Sequence, residues 1–186
     1  MTDLDLSISN WFHAHSNPVL TQLMLLVSLL HGTAGVLAMS AVLGIALWRR
    51  DRRWWLLALV LSVPGGMLLN VAVKNMVQRA RPHFDDPVLT LATYSFPSGH
   101  TAGTTLFYGF LTVLVFAHPQ ARRWRAAMVA IALAMVALVG FSRIYLGAHY
   151  LTDVVGAIVE ATLWLGLCLS GVHALRRHRG AGVVHG

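Results

Sequence analysis

The chain has 186 residues, of which 56% are hydrophobic and only 11% charged, with a mean hydropathy of +0.64. That composition excludes an ordinary soluble globular protein and describes a single domain, residues 1–186, lodged in a lipid bilayer. The formal net charge of +7 does not point to nucleic acid, because much of it falls in short clusters between apolar runs, where Lys and Arg hold loops in the cytoplasm.

Residues 1–17 carry Asp3 and Asp5 and no Lys or Arg, so they lack the basic start of a secretory signal and are expected to be retained. Leu4, Leu6, Ile8, Trp11 and Phe12 give this segment a loose amphipathic pattern, which predicts a helix lying at the membrane surface. His13 and His15 point different ways on such a helix, which argues against a shared metal site.

Apolar runs follow at about 19–30, 33–48, 54–73, 103–117, 126–141 and 154–175, predicting an all-α bundle of about six transmembrane helices. The weakest break is His31-Gly32-Thr33; a division there gives two short spans, whereas one helix from 19 to 48 would be too long without severe tilt. Under a six-span count the clusters Arg49-Arg50-Asp51-Arg52-Arg53 and Arg122-Arg123-Trp124-Arg125 share one side with the basic tail 176–186. The positive-inside rule makes that side cytoplasmic and puts both termini there. The acidic start points mildly the other way. Loops near 78–99 and 142–150 then face outward, and Trp54, Trp55 and Trp124 read as interface anchors. Cys168, alone in an apolar run, reads as a small buried hydrophobe.

The outward loops hold the polar chemistry. Lys74 and Arg81 are nearly two helical turns apart, so one helix face, breaking near Pro82, can aim both cations at one anion; snorkelling anchors at a helix end would look the same. Pro97-Ser98-Gly99-His100 stands before a long apolar helix, with Ser98 as N-cap and Gly99 opening a turn of unpaired N–H groups, an anion site or an ordinary helix start. His149 and Asp153, four apart, share a helical face, so the carboxylate can hold one imidazole nitrogen while the other faces a substrate. A structural His–Asp pair is the alternative, but it leaves Arg143, a planar fork suited to phosphate, unexplained. Asp85 and Asp86 read as solvated loop carboxylates rather than a metal site. Glu160, seven residues beyond Asp153, should point into the bundle, and Asn70, one turn before Lys74, is a polar residue that can partner that lysine.

Taken in order, Lys-x6-Arg-Pro, Pro-Ser-Gly-His and Ser-Arg-x5-His-x3-Asp are matched without departure. This set resembles the type 2 phosphatidic acid phosphatase superfamily, the lipid phosphate phosphatases, in a compact bacterial form. The resemblance implies His149 as nucleophile, Asp153 activating it, His100 protonating the leaving oxygen, and Lys74, Arg81, Ser98, Gly99 and Arg143 binding phosphate oxygens. It implies no metal and no other cofactor. It also implies a phosphorylated membrane lipid as substrate, with undecaprenyl pyrophosphate ahead of phosphatidylglycerol phosphate, phosphatidic acid and lipid A phosphates, and a phosphohistidine intermediate. No obligate protein partner is expected, and the location is the bacterial inner membrane with the site facing outward. A transporter or channel with a polar interior is the competing class; the vanadate-dependent haloperoxidases share a similar oxyanion site but are soluble.

Overall fold

A computed structural model describes residues 2–182; residues 183–186, the end of the expected basic tail, lie outside the described residues. Among the latter, all regular structure is helical. The first helix, α1 (Asp3–Ala14), is capped by Thr2, whose hydroxyl accepts from Asp5 N at 3.2 Å. Its amphipathicity is the reverse of a soluble helix: Asp5 and Ser9, one turn apart, are buried against the protein, while Leu4, Leu6 and Trp11 are exposed. That is the pattern of a helix whose outer face meets lipid.

Asn17 caps α2 (Pro18–Leu30), its side chain accepting from Val19 N and Leu20 N at 2.9 and 3.1 Å, a contact typically worth about 1 kcal/mol. After His31 and Gly32 the chain continues as α3 (Thr33–Arg49), bent from α2 by 47°. A short turn at Arg50–Arg52 leads to α4 (Arg53–Val77), followed by α5 (Gly99–Phe116), a 3-10 turn (Pro119–Trp124), α6 (Arg125–Tyr145) and α7 (Leu151–Gly182).

Packing in this bundle relies on small and hydroxyl-bearing residues inside and large aliphatics outside, as expected where lipid replaces water. Ser40, Ser62, Thr101 and Thr104 are buried, whereas Leu23, Leu68, Leu133, Leu163 and Leu167 are exposed. A Cβ at Gly66 would stand 2.6 Å from Leu106 and 2.7 Å from Trp164, so only glycine lets α4 sit this close to α5 and α7. Deeper than the functional loops, Asn70 Nδ2 donates to Glu160 Oε2 at 2.8 Å, an interhelical bond of about 0.6 kcal/mol in bilayer proteins. The expected partner of Asn70 was Lys74; Glu160 takes that place.

The six expected helices are present as α2 to α7. Helices α4 and α7 and the stretch Pro119–Tyr145 are each long and apolar enough to cross, and α2 with α3 is so only as a pair bent by 47°. The 18-residue α5 runs between α4 and α6 with Thr101, Thr104 and Thr105 turned inward. Helix α2 starts beside the last turn of α6, where Asn17 N donates to the Tyr145 hydroxyl at 2.8 Å. It descends obliquely to His31, whose ring reaches the Tyr108 hydroxyl of α5 at 3.2 Å. Helix α3 then completes the traverse to the far end, where Leu47 joins the core with Ala58 and Leu59.

The two ends of the described chain lie at opposite ends of the bundle. Asp5 lies against Thr152 at the start of α7, while Arg179 near the end of α7 stacks over Trp54 at 5.9 Å. The Arg49–Arg53 and Arg122–Arg125 clusters lie at the Arg179 end, opposite the two functional loops.

Candidate active site

The end of α4, the start of α5, the end of α6 and the start of α7 meet at one end of the bundle, and every candidate residue lies there. Arg143 occupies the last turn of α6 and is 1% exposed. Its Nη1 donates to Ser28 Oγ of α2, and its Nε is buried with no protein acceptor among the described residues. A buried N–H in that condition is free to donate to an acceptor that enters the site, most strongly to a charged oxygen.

From α6 the chain must turn sharply to present His149. Gly147 makes the turn at φ +65°, a conformation that strains any residue with a Cβ. The Ala148 and His149 amides both donate back to Arg143 O, at 3.0 and 3.2 Å. His149 thus stands two residues before α7 rather than on it, and still faces Asp153: Nδ1 is 3.5 Å from Asp153 Oδ2. Arg81 Nη1 lies 3.3 Å from His149 Nε2. A guanidinium has only donors, so Nε2 presents its lone pair and the proton sits on Nδ1 toward the carboxylate. Burial lowers the His149 pKa to about 4, with Asp153 opposing that shift and Arg81 and Arg143 adding to it, so the ring is neutral at physiological pH.

Asp153 is fully buried and heavily bonded. Its Oδ2 accepts from Ser95 Oγ and from Tyr150 N at 2.9 Å, and its Oδ1 accepts from Arg79 Nη1 at 2.6 Å. Neither Arg79 nor Ser95 was among the residues expected from sequence. Arg79 carried a faint signal, being a third cation within eight residues of a chain poor in charge; Ser95 carried none.

Lys74 and Arg81 converge, but not along one helix face. Gln78, in the left-handed region at φ 52°, ends α4 at Val77, and Arg81 returns to the site from an extended segment. Lys74 Nζ donates to the carbonyls of Tyr94, Pro97 and, at longer range, Ser95, at 2.8, 2.9 and 3.4 Å. Arg81 donates to Thr93 O and Ala148 O, both at 2.6 Å, and to Thr93 Oγ1 at 2.8 Å. Burial lowers the Arg81 pKa and Asp153 opposes it.

Ser98 occupies the N-cap position of α5, yet its side chain makes no cap bond; its Oγ accepts from Thr101 Oγ1 at 3.0 Å. Gly99 opens the helix with 3.4 Å between a notional Cβ and Asn70 Oδ1. His100, in the first turn, is half-buried with Nε2 against Gly32. Asp86 pairs with His13 at 2.9 Å, and among the described residues no three His, Cys, Asp or Glu side chains converge as a metal site would need. Two cavities of about 410 Å³ lie away from these residues: one among Trp54, Trp55, Val113 and Arg176 at the far end, the other between α3 and α4.

Histidine, carboxylate and clustered cations at one end of a helical membrane bundle fit the class that the family match shows, the membrane-embedded phosphatases. The chain belongs to the PAP2 superfamily, whose model matches residues 55–177. It is 30% identical to phosphatidylglycerophosphatase B of Bacillus subtilis, over 87% of this chain and 80% of that protein. It is 27% identical to the undecaprenyl-diphosphatase BcrC of the same organism, over 81% and 74%. The crystal structure of a transmembrane PAP2-type phosphatidylglycerolphosphate phosphatase from B. subtilis superposes with a TM-score of 0.78 at 28% identity, covering 94% of this chain and 85% of that one. These relatives are hydrolases of phosphate esters and diphosphates, and family membership sets the transporter reading aside.

Proposed function

We propose that the protein hydrolyses a phosphomonoester or pyrophosphate on a membrane lipid through a phosphohistidine formed on His149. The observation that carries this reading is the opposition of His149 Nδ1 to Asp153, with Arg81 at Nε2 and the unmet Arg143 Nε nearby. Nε2 attacks phosphorus as the bond to the leaving oxygen breaks, and His100 gives that oxygen its proton. Water then attacks the phosphohistidine, giving a proton back to His100 as the bond from phosphorus to Nε2 breaks and inorganic phosphate forms, while Arg81, Arg143 and the N–H groups opening α5 around Ser98 and Gly99 hold the equatorial oxygens. Lys74 adds its field from beside the site, and a direct bond to phosphate requires it to release a carbonyl.

The named substrates of the relatives differ. Purified protein assayed against phosphatidylglycerol phosphate, undecaprenyl pyrophosphate, phosphatidic acid and a lipid A 1-phosphate ranks them. Undecaprenyl pyrophosphate was slightly favoured from sequence, and the 30% identical relative supports phosphatidylglycerol phosphate as the first comparison. Release of phosphate from none of the four would overturn the proposal. Turnover is expected to persist in excess EDTA, because side-chain cations supply the electrostatic stabilisation; loss restored by magnesium would return Asp85 and Asp86 to the mechanism.

The location we propose is the bacterial inner membrane, with the arginine clusters cytoplasmic and the site outward. Counting α2 with α3 as one crossing and α5 as another gives five, with α1 outside and the end of α7 inside. In a Cys168→Ser background, Asp3→Cys and Val88→Cys should react with an impermeant thiol reagent applied to intact cells, while Asp51→Cys and Arg177→Cys should not. Protection of Asp3→Cys alongside labelled Val88→Cys would restore an even number of crossings.

A further inference from the structure

Arg79 belongs to none of the motif positions, yet it bridges two buried carboxylates from distant parts of the chain. Its Nη1 donates to Asp153 Oδ1 and to Thr152 Oγ1, both at 2.6 Å, and its Nη2 donates to Asp5 Oδ2 at 2.8 Å. The guanidinium also lies over the Tyr150 ring, 4.5 Å from its centroid. Asp5 and Asp153 side chains are 1% and 0% exposed, and Arg79 is 17% exposed. Asp5 grips α7 directly as well: Oδ1 accepts from Thr152 N at 3.1 Å and Oδ2 from Thr152 Oγ1 at 2.7 Å.

Burying such a triad carries a desolvation cost that its mutual attraction need not exceed, so stability alone is a poor account of it. Geometry gives a better one. With Oδ1 held by Arg79, the carboxyl plane of Asp153 is fixed, and Oδ2 is left to Ser95, Tyr150 N and His149 Nδ1. An outer partner of this kind sets the orientation of an active carboxylate.

We propose that Arg79 is a positioning residue for the His149–Asp153 pair, and that Asp5 completes it by tying the interfacial helix α1 to the same guanidinium. The inference rests on His149 being the nucleophile. It gives α1 a role in turnover, because the residue that locks the helix to the bundle also shares the charge that faces Asp153.

The sign of the electrostatics provides the test. The groups facing His149 are Asp153 from α7, Arg81 from the loop, Arg143 from α6 and His100 from α5, with Lys74 of α4 also acting on Asp153. Removing the Arg79 cation leaves Asp153 a stronger partner for a protonated His149, so the acid limb of kcat/KM moves up in pH, by on the order of one unit. Removing the Asp5 charge leaves the guanidinium less neutralised, so in Asp5→Asn the limb moves down.

With purified protein and short-chain phosphatidic acid in micelles, Arg79→Met should lose about 10- to 100-fold in kcat with little change in KM, and Arg79→Lys should recover part of that loss with an unshifted limb. A purely structural bridge would lower the unfolding temperature in both Arg79→Met and Asp5→Asn without moving either limb, and that result overturns the proposal. If Arg79→Met does not fold, the direction of the Asp5→Asn shift decides alone. His149→Ala is run alongside: residual turnover there overturns the nucleophile reading, whereas an inactive His149→Ala with unmoved limbs overturns only the clamp.

Discussion

His149→Ala is expected to yield folded, helical protein without measurable turnover, a loss on the order of 10⁶-fold, as when the nucleophile of a covalent mechanism is removed. The ring is 2% exposed and, among the described residues, its side-chain polar contacts are Asp153 and Arg81, so truncation leaves a small cavity but does not unlatch a helix. Asp153→Asn should cost about 10⁴-fold, the scale seen when an orienting carboxylate is neutralised. Circular dichroism in detergent with a phosphate-release assay separates folding from chemistry. Substantial activity in His149→Ala overturns the phosphohistidine mechanism.

Arg143→Met should also give a large loss, about 10³- to 10⁵-fold in kcat, the range for an arginine that neutralises charge on a transferring phosphoryl group. Its stability should move the opposite way. Arg143 buries a cation whose one protein partner among the described hydrogen bonds is the uncharged Ser28, and an apolar side chain of similar length removes that desolvation cost. Thermal unfolding of Arg143→Met at or above the wild-type temperature, with turnover lost, identifies a charge kept for the reaction. A destabilised but active variant would make Arg143 a packing residue and leave the phosphate to Arg81 and the opening of α5.

The helices were legible because bilayer burial demands long apolar runs, and the site was legible because three charged motifs interrupt a chain that otherwise avoids charge. What sequence does not encode locally is whether a two-residue break turns the chain around or bends it. Gly32 is a good helix start by either reading, and the 47° bend between α2 and α3 goes with the long-range packing of His31 on Tyr108 and of Asn17 on Tyr145. Arg79, Ser95 and Asp5 were unreadable for a different reason: each gains its role from a residue tens to well over a hundred positions away. Spacing placed Lys74 and Arg81 on one helix because a left-handed Gln78 leaves no mark in a periodic pattern.

Lys74 shows how a motif residue can serve architecture and chemistry at once. Its ammonium acts as a tripod under the segment Tyr94–Pro97, with its three protons directed at three carbonyls. A tetrahedral point donor suits that seat, and a flat guanidinium, whose donors fan out in one plane, does not. Lysine and arginine are therefore not equivalent at position 74 even before any phosphate arrives: arginine would preserve the charge while distorting the segment that delivers Ser95 to Asp153 and Ser98 to the head of α5.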